Sequence, residues 1–272
     1  MLSYLLLGAS AALSAAATEH NDIEFARPGG VPLTLDASIP EGKGPFPTVI
    51  IVHGGGWEAG TKRTYVTPLF EPLTKAGFAW FTINYRLAPQ HRFPAAVEDV
   101  EQAVRWVKQH ARQYRVDTGR IALMGESAGG HLVALVAVRN ESAFRVAAVV
   151  DFYGPHDLVK RERDRGEVGR NLRQFLGVDK LDEEGIAKLR EASPVTYVGK
   201  GLPPFLFIHG TKDAAVPYEQ SGILCDKLKQ FGNRCEVYTV EGAPHGVGPW
   251  EKNPEWQGYK QKMVEWLKQT LR

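Results

Sequence analysis

Residues 125–129 read Gly-Glu-Ser-Ala-Gly, and this motif constrains the fold of the chain more than any other feature. It directly follows the apolar run 121–124, which is predicted to be a strand, and it opens the run 128–138, which is predicted to be a helix. A serine on so sharp a turn needs glycines two positions away on either side, because the backbone there is crowded. The turn exposes the hydroxyl of Ser127 at the start of a helix. The motif therefore predicts a nucleophilic serine between a strand and a helix.

Apolar runs of strand length alternate with helical patterns along the rest of the chain. Strands are predicted at 48–52, 79–84, 121–124, 147–150, 205–208 and 236–240. Helices are predicted from Pro94 onward and over 128–138, 218–231 and 255–271. Ahead of them, residues 22–38 alternate apolar and polar on either side of a turn at 27–30, which is typical of a β-hairpin. The repeated units predict an α/β fold with a mostly parallel central sheet flanked by helices.

The composition is that of an ordinary globular protein. Of the 272 residues, 43% are hydrophobic and 24% are charged, which excludes the disordered, collagenous and coiled-coil classes. An α/β fold commonly uses roughly 250 residues as one domain, so residues 18–272 are predicted to form a single domain. The formal net charge of +2 gives no reason to expect nucleic acid or a charged membrane surface as a partner. The oligomeric state stays open.

Residues 1–17 have the pattern of a secretory signal peptide. An apolar stretch from Tyr4 to Leu13 is followed by small residues that fit a cleavage site. A buried N-terminal helix is the alternative, since the segment lacks Lys and Arg. No stretch approaches the ~20 apolar residues of a membrane-spanning helix. The chain is therefore expected to be secreted or periplasmic, with no membrane span.

The two cysteines, Cys225 and Cys235, fit an exported protein with one disulfide. Cys225 lies in a predicted helix and Cys235 opens the strand that follows it. A turn at Gly232 would bring the two Cα atoms within bonding range. Two buried free thiols are the alternative.

Residues 155–193 interrupt the alternation of strands and helices. This insertion carries the charged run 160–165 and then a weakly helical stretch, with no strand pattern. One interpretation is a solvated surface excursion, and the other is a lid or substrate-facing segment. Irregular segments longer than about 12 to 15 residues in compact domains are usually functional or mobile, so both interpretations stay open.

A serine nucleophile needs a neutral imidazole as its base and a carboxylate that holds the imidazole in the right tautomer. On a fold of this kind the acid and the histidine follow the serine in that order, on loops after later strands. Of the eight histidines, only His245 follows the last predicted strand. Asp213, after the strand 205–208, is the expected acid, and Asp151 is the alternative. His209 is expected to be a packed core residue.

A second glycine cluster, His-Gly-Gly-Gly-Trp at residues 53–57, follows the first buried strand. Because glycine lacks a Cβ atom, the N–H groups of this loop can approach a developing negative oxygen closely. A phosphate-binding loop would need a Lys-Ser or Lys-Thr pair directly after the glycines, and none follows, so a nucleotide site is excluded. Cys and His are not paired at metal-ligand spacing, and no metal or organic cofactor is expected.

These motifs resemble the α/β-hydrolase superfamily, specifically esterases of the hormone-sensitive-lipase-like type. Residues 85–89 (Tyr-Arg-Leu-Ala-Pro) and 93–96 (Phe-Pro-Ala-Ala) are also similar to that family's signature, and the resemblance runs from about Thr48 to the C-terminus. It implies a triad of Ser127, Asp213 and His245. It also implies an oxyanion hole formed by the backbone N–H groups of Gly55, Gly56 and Ala128, with His53 orienting the glycine loop.

The N-terminal side departs from that type. Only about 35 residues separate Ala17 from His53, and they are predicted to form a hairpin, so no N-terminal helical cap is expected. This layout resembles the small secreted esterases related to bacterial feruloyl and acetylxylan esterases. The resemblance implies a serine carboxylesterase that hydrolyses short-chain acyl esters through an acyl-enzyme, including acetyl or feruloyl esters of plant polysaccharide.

Two other functions stay open. An arylformamidase-like amide hydrolase shares the glycine loop and a nucleophile followed by Gly-His-Leu at 130–132, although its loop generally carries an aromatic residue where this chain has Gly56. A non-catalytic interaction protein on the hydrolase fold normally lacks the triad Ser or His, and both are present here.

Without a cap, the acyl side of the site would be walled by loops at the end of the sheet. The candidate wall residues are Trp57, Tyr85, Tyr153, Val216 and Val247. Such a shallow wall would accept acetyl to butyryl groups and leave longer chains partly in water. The expected partner is therefore a small-molecule or carbohydrate-linked ester.

Overall fold

The computed structural model describes residues 16–272, so the predicted signal peptide lies outside the described residues apart from its last two positions. The described residues form one eight-stranded sheet. Its strands are β1 (Ala17–Ala26), β2 (Leu33–Pro40), β3 (Phe46–Val52), β4 (Ala79–Ile83), β5 (Val116–Glu126), β6 (Ala148–Phe152), β7 (Phe205–Gly210) and β8 (Cys235–Val240).

The strands follow the spatial order β1-β2-β4-β3-β5-β6-β7-β8. The hairpin of β1 and β2 is antiparallel, and β2 is also antiparallel to β4. All the other neighbouring pairs are parallel. The predicted hairpin is thus present and longer than expected. Between Ala16 and β3 the described chain forms this hairpin with a single 3₁₀ turn, and no helical cap.

Helices cover both faces of the sheet. They are α1 (Phe70–Lys75), α2 (Ala95–Gln109), α3 (Ala111–Tyr114), α4 (Ala128–Arg139), α5 (Leu158–Arg165), α6 (Arg170–Leu176), α7 (Glu183–Glu191), α8 (Glu219–Gln230), α9 (Val247–Trp250) and α10 (Gly258–Thr270). Successive side chains of a strand point to opposite faces. Accordingly, Ile50 of β3 belongs to the core cluster that includes residues of α2, α4 and α8, whereas Ile51 belongs to the cluster that includes residues of α1 and α10. The predicted fold class, an α/β-hydrolase sheet flanked by helices, is confirmed.

The last helix begins three residues later than predicted. Residues 254–256 form a 3₁₀ turn instead, because Pro254 fixes the backbone there and the side chain of Asn253 accepts a hydrogen bond from the Glu255 amide. The short helix α9 was not predicted, since four residues are too few to show a helical period.

The insertion at 155–193 folds into three short helices, α5, α6 and α7. Asp157 and Asp182 cap α5 and α7 by accepting hydrogen bonds from backbone amides three residues later. Leu158, Phe175 and Leu189 of these helices are buried in the main core. A solvated excursion would not bury such residues, so the insertion is a packed part of the domain.

Cys225 of α8 and Cys235 of β8 are joined by a disulfide, with their Cα atoms 5.5 Å apart. This is the pairing expected from the short turn between the helix and the strand. None of the helices within residues 16–272 is both long and apolar enough to cross a membrane.

Candidate active site

The turn between β5 and α4 holds Ser127 in an unusual backbone conformation, with φ of 54°. A Cβ atom on Gly125 would lie 2.2 Å from the carbonyl oxygen of Gly129. A Cβ atom on Gly129 would lie 2.1 Å from the carbonyl oxygen of Val52. Both distances are far below van der Waals contact. The two motif glycines are therefore required by the close approach of β3, β5 and α4, which is what exposes the serine.

Three side chains predicted from distant parts of the sequence meet at this turn. The Oγ atom of Ser127 lies 3.0 Å from Nε2 of His245. On the other side of the ring, Nδ1 of His245 lies 2.6 Å from Oδ2 of Asp213. Because the carboxylate can only accept, Nδ1 carries the proton and Nε2 is free to accept the serine's hydrogen. This geometry meets the requirements of a serine nucleophile with a base and an orienting acid.

Asp213 is held as a carboxylate by its surroundings. Its side chain is fully buried, and its Oδ1 accepts hydrogen bonds from the backbone amides of Ala215 and Val216, each at 2.8 Å. Burial alone would raise its pKa, but hydrogen bonds from His209 and His245 outweigh that effect and hold the pKa of Asp213 well below its usual value. Asp213 therefore stays ionised beside the imidazole.

The alternative acid, Asp151, has different partners. Its Oδ1 accepts from the amide of Gly154 at 2.8 Å and lies 3.5 Å from Nε2 of His156, all of them buried. His209 is also buried, with Nδ1 2.8 Å from Oγ of Ser221 and Nε2 3.3 Å from Oδ2 of Asp213. His209 is thus a hydrogen-bonded core residue, and it additionally supports the carboxylate of Asp213.

Three residues that line the cavity together with Ser127 have backbone N–H groups without a hydrogen-bond partner among the described residues. They are Gly55, Gly56 and Ala128, which were the residues expected to form an oxyanion hole. Gly55 and Gly56 have φ of 101° and 62°, a region that side chains rarely tolerate. The glycine loop therefore leaves backbone donors free at the cavity, and stabilisation of a developing negative oxygen requires such donors.

His53 and Tyr85 stabilise the start of the glycine loop by hydrogen bonds to its backbone. Nδ1 of His53 donates to the carbonyl oxygen of Gly54 at 2.8 Å, and burial lowers the pKa of His53 to about 4, so the ring stays neutral. The ring of Tyr85 stacks on His53 with centroids 4.3 Å apart. The hydroxyl of Tyr85 donates to the carbonyl oxygens of His53 and Gly54. These contacts agree with an orienting role for His53.

A cavity of about 780 Å³ opens in front of Ser127. Three of the five predicted wall residues line it: Trp57, Val216 and Val247. The prediction is wrong for Tyr85 and Tyr153. Tyr85 points into the core to brace the glycine loop. Tyr153 is fully buried, accepts a hydrogen bond from the Val247 amide at 2.8 Å and packs against the His245 ring with centroids 4.7 Å apart.

The insertion contributes residues that the sequence patterns did not single out. Pro155, Arg161, Arg165 and Asn171 line the cavity, and Lys252 joins them from the turn after α9. A Cβ atom on Gly56 would lie 2.0 Å from Nδ2 of Asn171, so α6 packs directly on the glycine loop. The ring of Trp57 also stacks on Phe175 of α6 at 4.7 Å. Of the two interpretations of the insertion, the substrate-facing one fits these contacts.

Glu126, next to the nucleophile, is a second carboxyl group at the site. It lines the cavity, yet it is only 4% exposed and its Oε2 has no hydrogen-bond partner among the described residues. Burial raises the pKa of Glu126 to about 7. Among residues 16–272 there is no group of three His, Cys, Asp or Glu side chains that could hold a metal ion.

The sequence matches the BD-FAE family over residues 35–228. The "probable carboxylic ester hydrolase LipM" of Mycobacterium tuberculosis (strain ATCC 25618 / H37Rv) is 33% identical over 206 residues, which cover 72% of this chain and 48% of LipM. The chain spans about half the length of such relatives.

Solved structures of esterases share the fold. A structure described as a "truncated form of carbohydrate esterase from gut microbiota" has a TM-score of 0.82 at 27% identity, covering 95% of this chain and 97% of that one. The thermophilic esterase Est2 of Thermogutta terrifontis with propionate bound has a TM-score of 0.73 at 28% identity, covering 95% of both chains. With the family match over most of its length, the chain belongs to the BD-FAE family of α/β-hydrolase-fold proteins, whose relatives named above are ester hydrolases.

Proposed function

We propose that this chain is a serine carboxylic ester hydrolase that acts on short-chain acyl esters, including acyl groups carried by carbohydrate. The observation that carries the proposal is the series of hydrogen bonds from Asp213 through His245 to Ser127, at 2.6 and 3.0 Å. This series opens on a cavity that is lined by three N–H groups without partners. A nucleophile, a base, an orienting acid and free N–H donors are the groups that acyl transfer requires.

In the proposed reaction, Nε2 of His245 takes the proton of Ser127 as Oγ attacks the ester carbonyl carbon. The carbonyl oxygen becomes negative and accepts hydrogen bonds from Gly55, Gly56 and Ala128. The imidazolium, stabilised by Asp213, then gives its proton to the departing alcohol, which leaves an acyl group on Oγ. Water, deprotonated by the same imidazole, attacks this acyl-enzyme and releases the carboxylic acid.

The preference for short acyl groups is supported by the lining of the cavity. Trp57, Val216 and Val247 supply apolar surface, but Arg161, Arg165 and Lys252 supply charge. Each methylene buried in apolar surroundings contributes roughly 0.8 kcal/mol, and a chain that meets charged groups forgoes that gain. One similar structure is described as a carbohydrate esterase, and the Est2 structure is described as propionate-bound, which supports short acyl groups and carbohydrate carriers.

The test is the value of kcat/KM for 4-nitrophenyl acetate, butyrate and octanoate, together with the release of acetate from acetylated xylan and of ferulate from methyl ferulate. We expect the highest value at acetyl or butyryl. Ser127→Ala should reduce turnover by several orders of magnitude in a folded protein, because it removes only the attacking oxygen. Ser142→Ala, at an exposed serine outside the site, is the matched control and should match the wild type.

Three outcomes would contradict parts of the proposal. A Ser127→Ala variant that keeps more than about a tenth of the activity would remove Ser127 from the mechanism. A maximum at eight carbons would refute the short-chain preference. Faster turnover of an N-formyl aromatic amine than of any ester would favour the arylformamidase-like alternative.

We also propose that the chain is exported to the periplasm or the medium. Support comes from the pattern of residues 1–17 and from the disulfide between α8 and β8, since disulfides persist in oxidising compartments. Fractionation of the native host decides this: recovery in the cytosol would refute export.

A further inference from the structure

Positive charge dominates the lining of the cavity in front of Ser127. Arg161, Arg165 and Lys252 line it, and among residues 16–272 the only carboxyl group in the lining is that of Glu126. Arg161 and Arg165 are four residues apart on α5, so both project from the same face of that helix. Even when it is ionised, Glu126 offsets only one of the three positive charges of Arg161, Arg165 and Lys252. The cavity is therefore a cationic environment around a site for ester cleavage.

One carboxylate lies behind the two arginines. Glu162 is fully buried, with Oε1 3.4 Å from an Nη of Arg161 and Oε2 3.7 Å from Nε of Arg165. Its Oε2 already accepts a hydrogen bond from the Gly169 amide. A single carboxylate is thus shared between two guanidinium groups, and Lys252 adds a third cation. Together, Glu162, Arg161, Arg165 and Lys252 carry a net charge of +2.

Arg161 has unused hydrogen-bonding capacity. Its side chain is 13% exposed, and its Nε atom is buried without a partner among the described residues. One Nη donates to the carbonyl oxygen of Ala215 at 3.2 Å, which ties α5 to the loop that carries Asp213. A buried donor without a partner is costly unless a ligand satisfies it. A guanidinium group carries paired N–H donors that suit a carboxylate, and Arg161 lines the cavity.

We propose that the cavity takes esters whose acyl or alcohol portion carries a free carboxylate, such as uronic acids acylated on a hydroxyl group or monoesters of dicarboxylic acids, with Arg161, Arg165 and Lys252 as the recognition groups. This inference rests on the proposed ester hydrolysis and names its substrate class. The carboxylate of the substrate stays unreacted and fixes the position of the scissile ester in front of Ser127.

The test compares two matched pairs of substrates that differ only in charge. On the alcohol side, 4-acetoxybenzoate is compared with 4-acetoxybenzamide. On the acyl side, the 4-nitrophenyl monoester of adipate is compared with its terminal carboxamide. The readout is the ratio of kcat/KM, anionic over neutral. We expect a ratio of about ten in at least one pair at low ionic strength, falling towards one in 0.5 M NaCl as the charges are screened.

The Arg165→Gln/Lys252→Gln variant should lower that ratio to below about two. Arg161 is left intact because it also holds Ala215. Arg163→Gln is the control, since Arg163 is an exposed arginine of the same helix that does not line the cavity, and its ratio should equal that of the wild type. A wild-type ratio of one or less in both pairs would overturn the inference while the ester hydrolase stands.

A protein that hydrolyses neither member of either pair would refute the proposed function and not yet this inference. In that case, calorimetric titration of Ser127→Ala with 4-acetoxybenzoate and 4-acetoxybenzamide separates the two. Tighter binding of the anion, lost in the double variant, would support the cationic recognition. Equal binding would overturn it.

Discussion

Replacing Glu126 by glutamine should stabilise the protein at alkaline pH. The carboxyl group of Glu126 lies in the interior beside the nucleophile, and burial raises its pKa from 4.5 to about 7. Ionisation is therefore harder in the folded chain than in the unfolded one. Well below pH 4.5 the carboxyl group of Glu126 is protonated in both the folded and the unfolded chain, so it does not lower the stability of the protein. Between pH 4.5 and 7 the unfolded chain loses its proton first, so stability falls as the pH rises, and above pH 7 the full penalty persists.

The size of the penalty follows from the two pKa values. A difference of about 2.5 pKa units corresponds to about 3 kcal/mol, at 1.36 kcal/mol per unit. Tyr153 and Gly54 favour the ionised carboxylate, and glutamine keeps an acceptor oxygen for one of them. The expected gain of Glu126→Gln is therefore about 1 to 3 kcal/mol at pH 8.5 and near zero at pH 4.5.

The assay is urea-induced unfolding followed by tryptophan fluorescence between pH 4.5 and 8.5, for wild type and variant. Glu41→Gln serves as control, because Glu41 lies on an exposed loop, and its stability difference should not vary with pH. A Glu126→Gln difference that stays constant across this range, or a loss of stability at pH 8.5, would refute the argument from burial.

Three further predictions concern the acid, the nucleophile turn and the disulfide. Asp213→Asn should lower kcat by up to about 10⁴-fold, because the amide favours the wrong tautomer of the imidazole, and Asp151→Asn should cost far less in a folded protein; the opposite order in steady-state kinetics would exchange their roles. Gly129→Ala should lower both the unfolding midpoint and turnover, because its Cβ would overlap a carbonyl oxygen of β3, whereas Gly222→Ala, in open space on α8, should be neutral or stabilising by up to about 1 kcal/mol. Reduction of the disulfide, whose cysteines are 10 residues apart, should cost at most about 3 kcal/mol in urea unfolding; two free thiols in the unreduced protein would contradict the bond.

The sheet and the meeting of Ser127, Asp213 and His245 could be predicted from the sequence, because both follow from the order of elements along the chain. In a parallel sheet, loops after successive strands emerge at the same edge, so a serine after β5, an aspartate after β7 and a histidine after β8 lie side by side. The glycines at 125 and 129 mark the turn because no other residue fits there. These signals are local and need no knowledge of side-chain packing.

The wall of the cavity could not be predicted in the same way. Tyr85 and Tyr153 are adjacent in sequence to site loops, but adjacency does not fix the direction of a side chain. Tyr153 follows β6 with φ of 44°, a conformation that turns its ring beneath His245. Its hydroxyl then accepts a hydrogen bond from the Val247 amide. The direction of a side chain next to a site loop depends on the backbone conformation, and the pattern of apolar residues does not report that conformation.

The charged run at 160–165 shows why the character of the cavity was also missed. Six consecutive charged residues are typical of a solvated surface, yet Glu162 in their midst is fully buried. It can be buried because Arg161 and Arg165 both lie against it, so the carboxylate is compensated within one turn of α5. The same two arginines also line the cavity in front of Ser127. In our proposal, part of this charged run recognises the substrate, and a sequence pattern does not report this because burial of a charge depends on its neighbours in space.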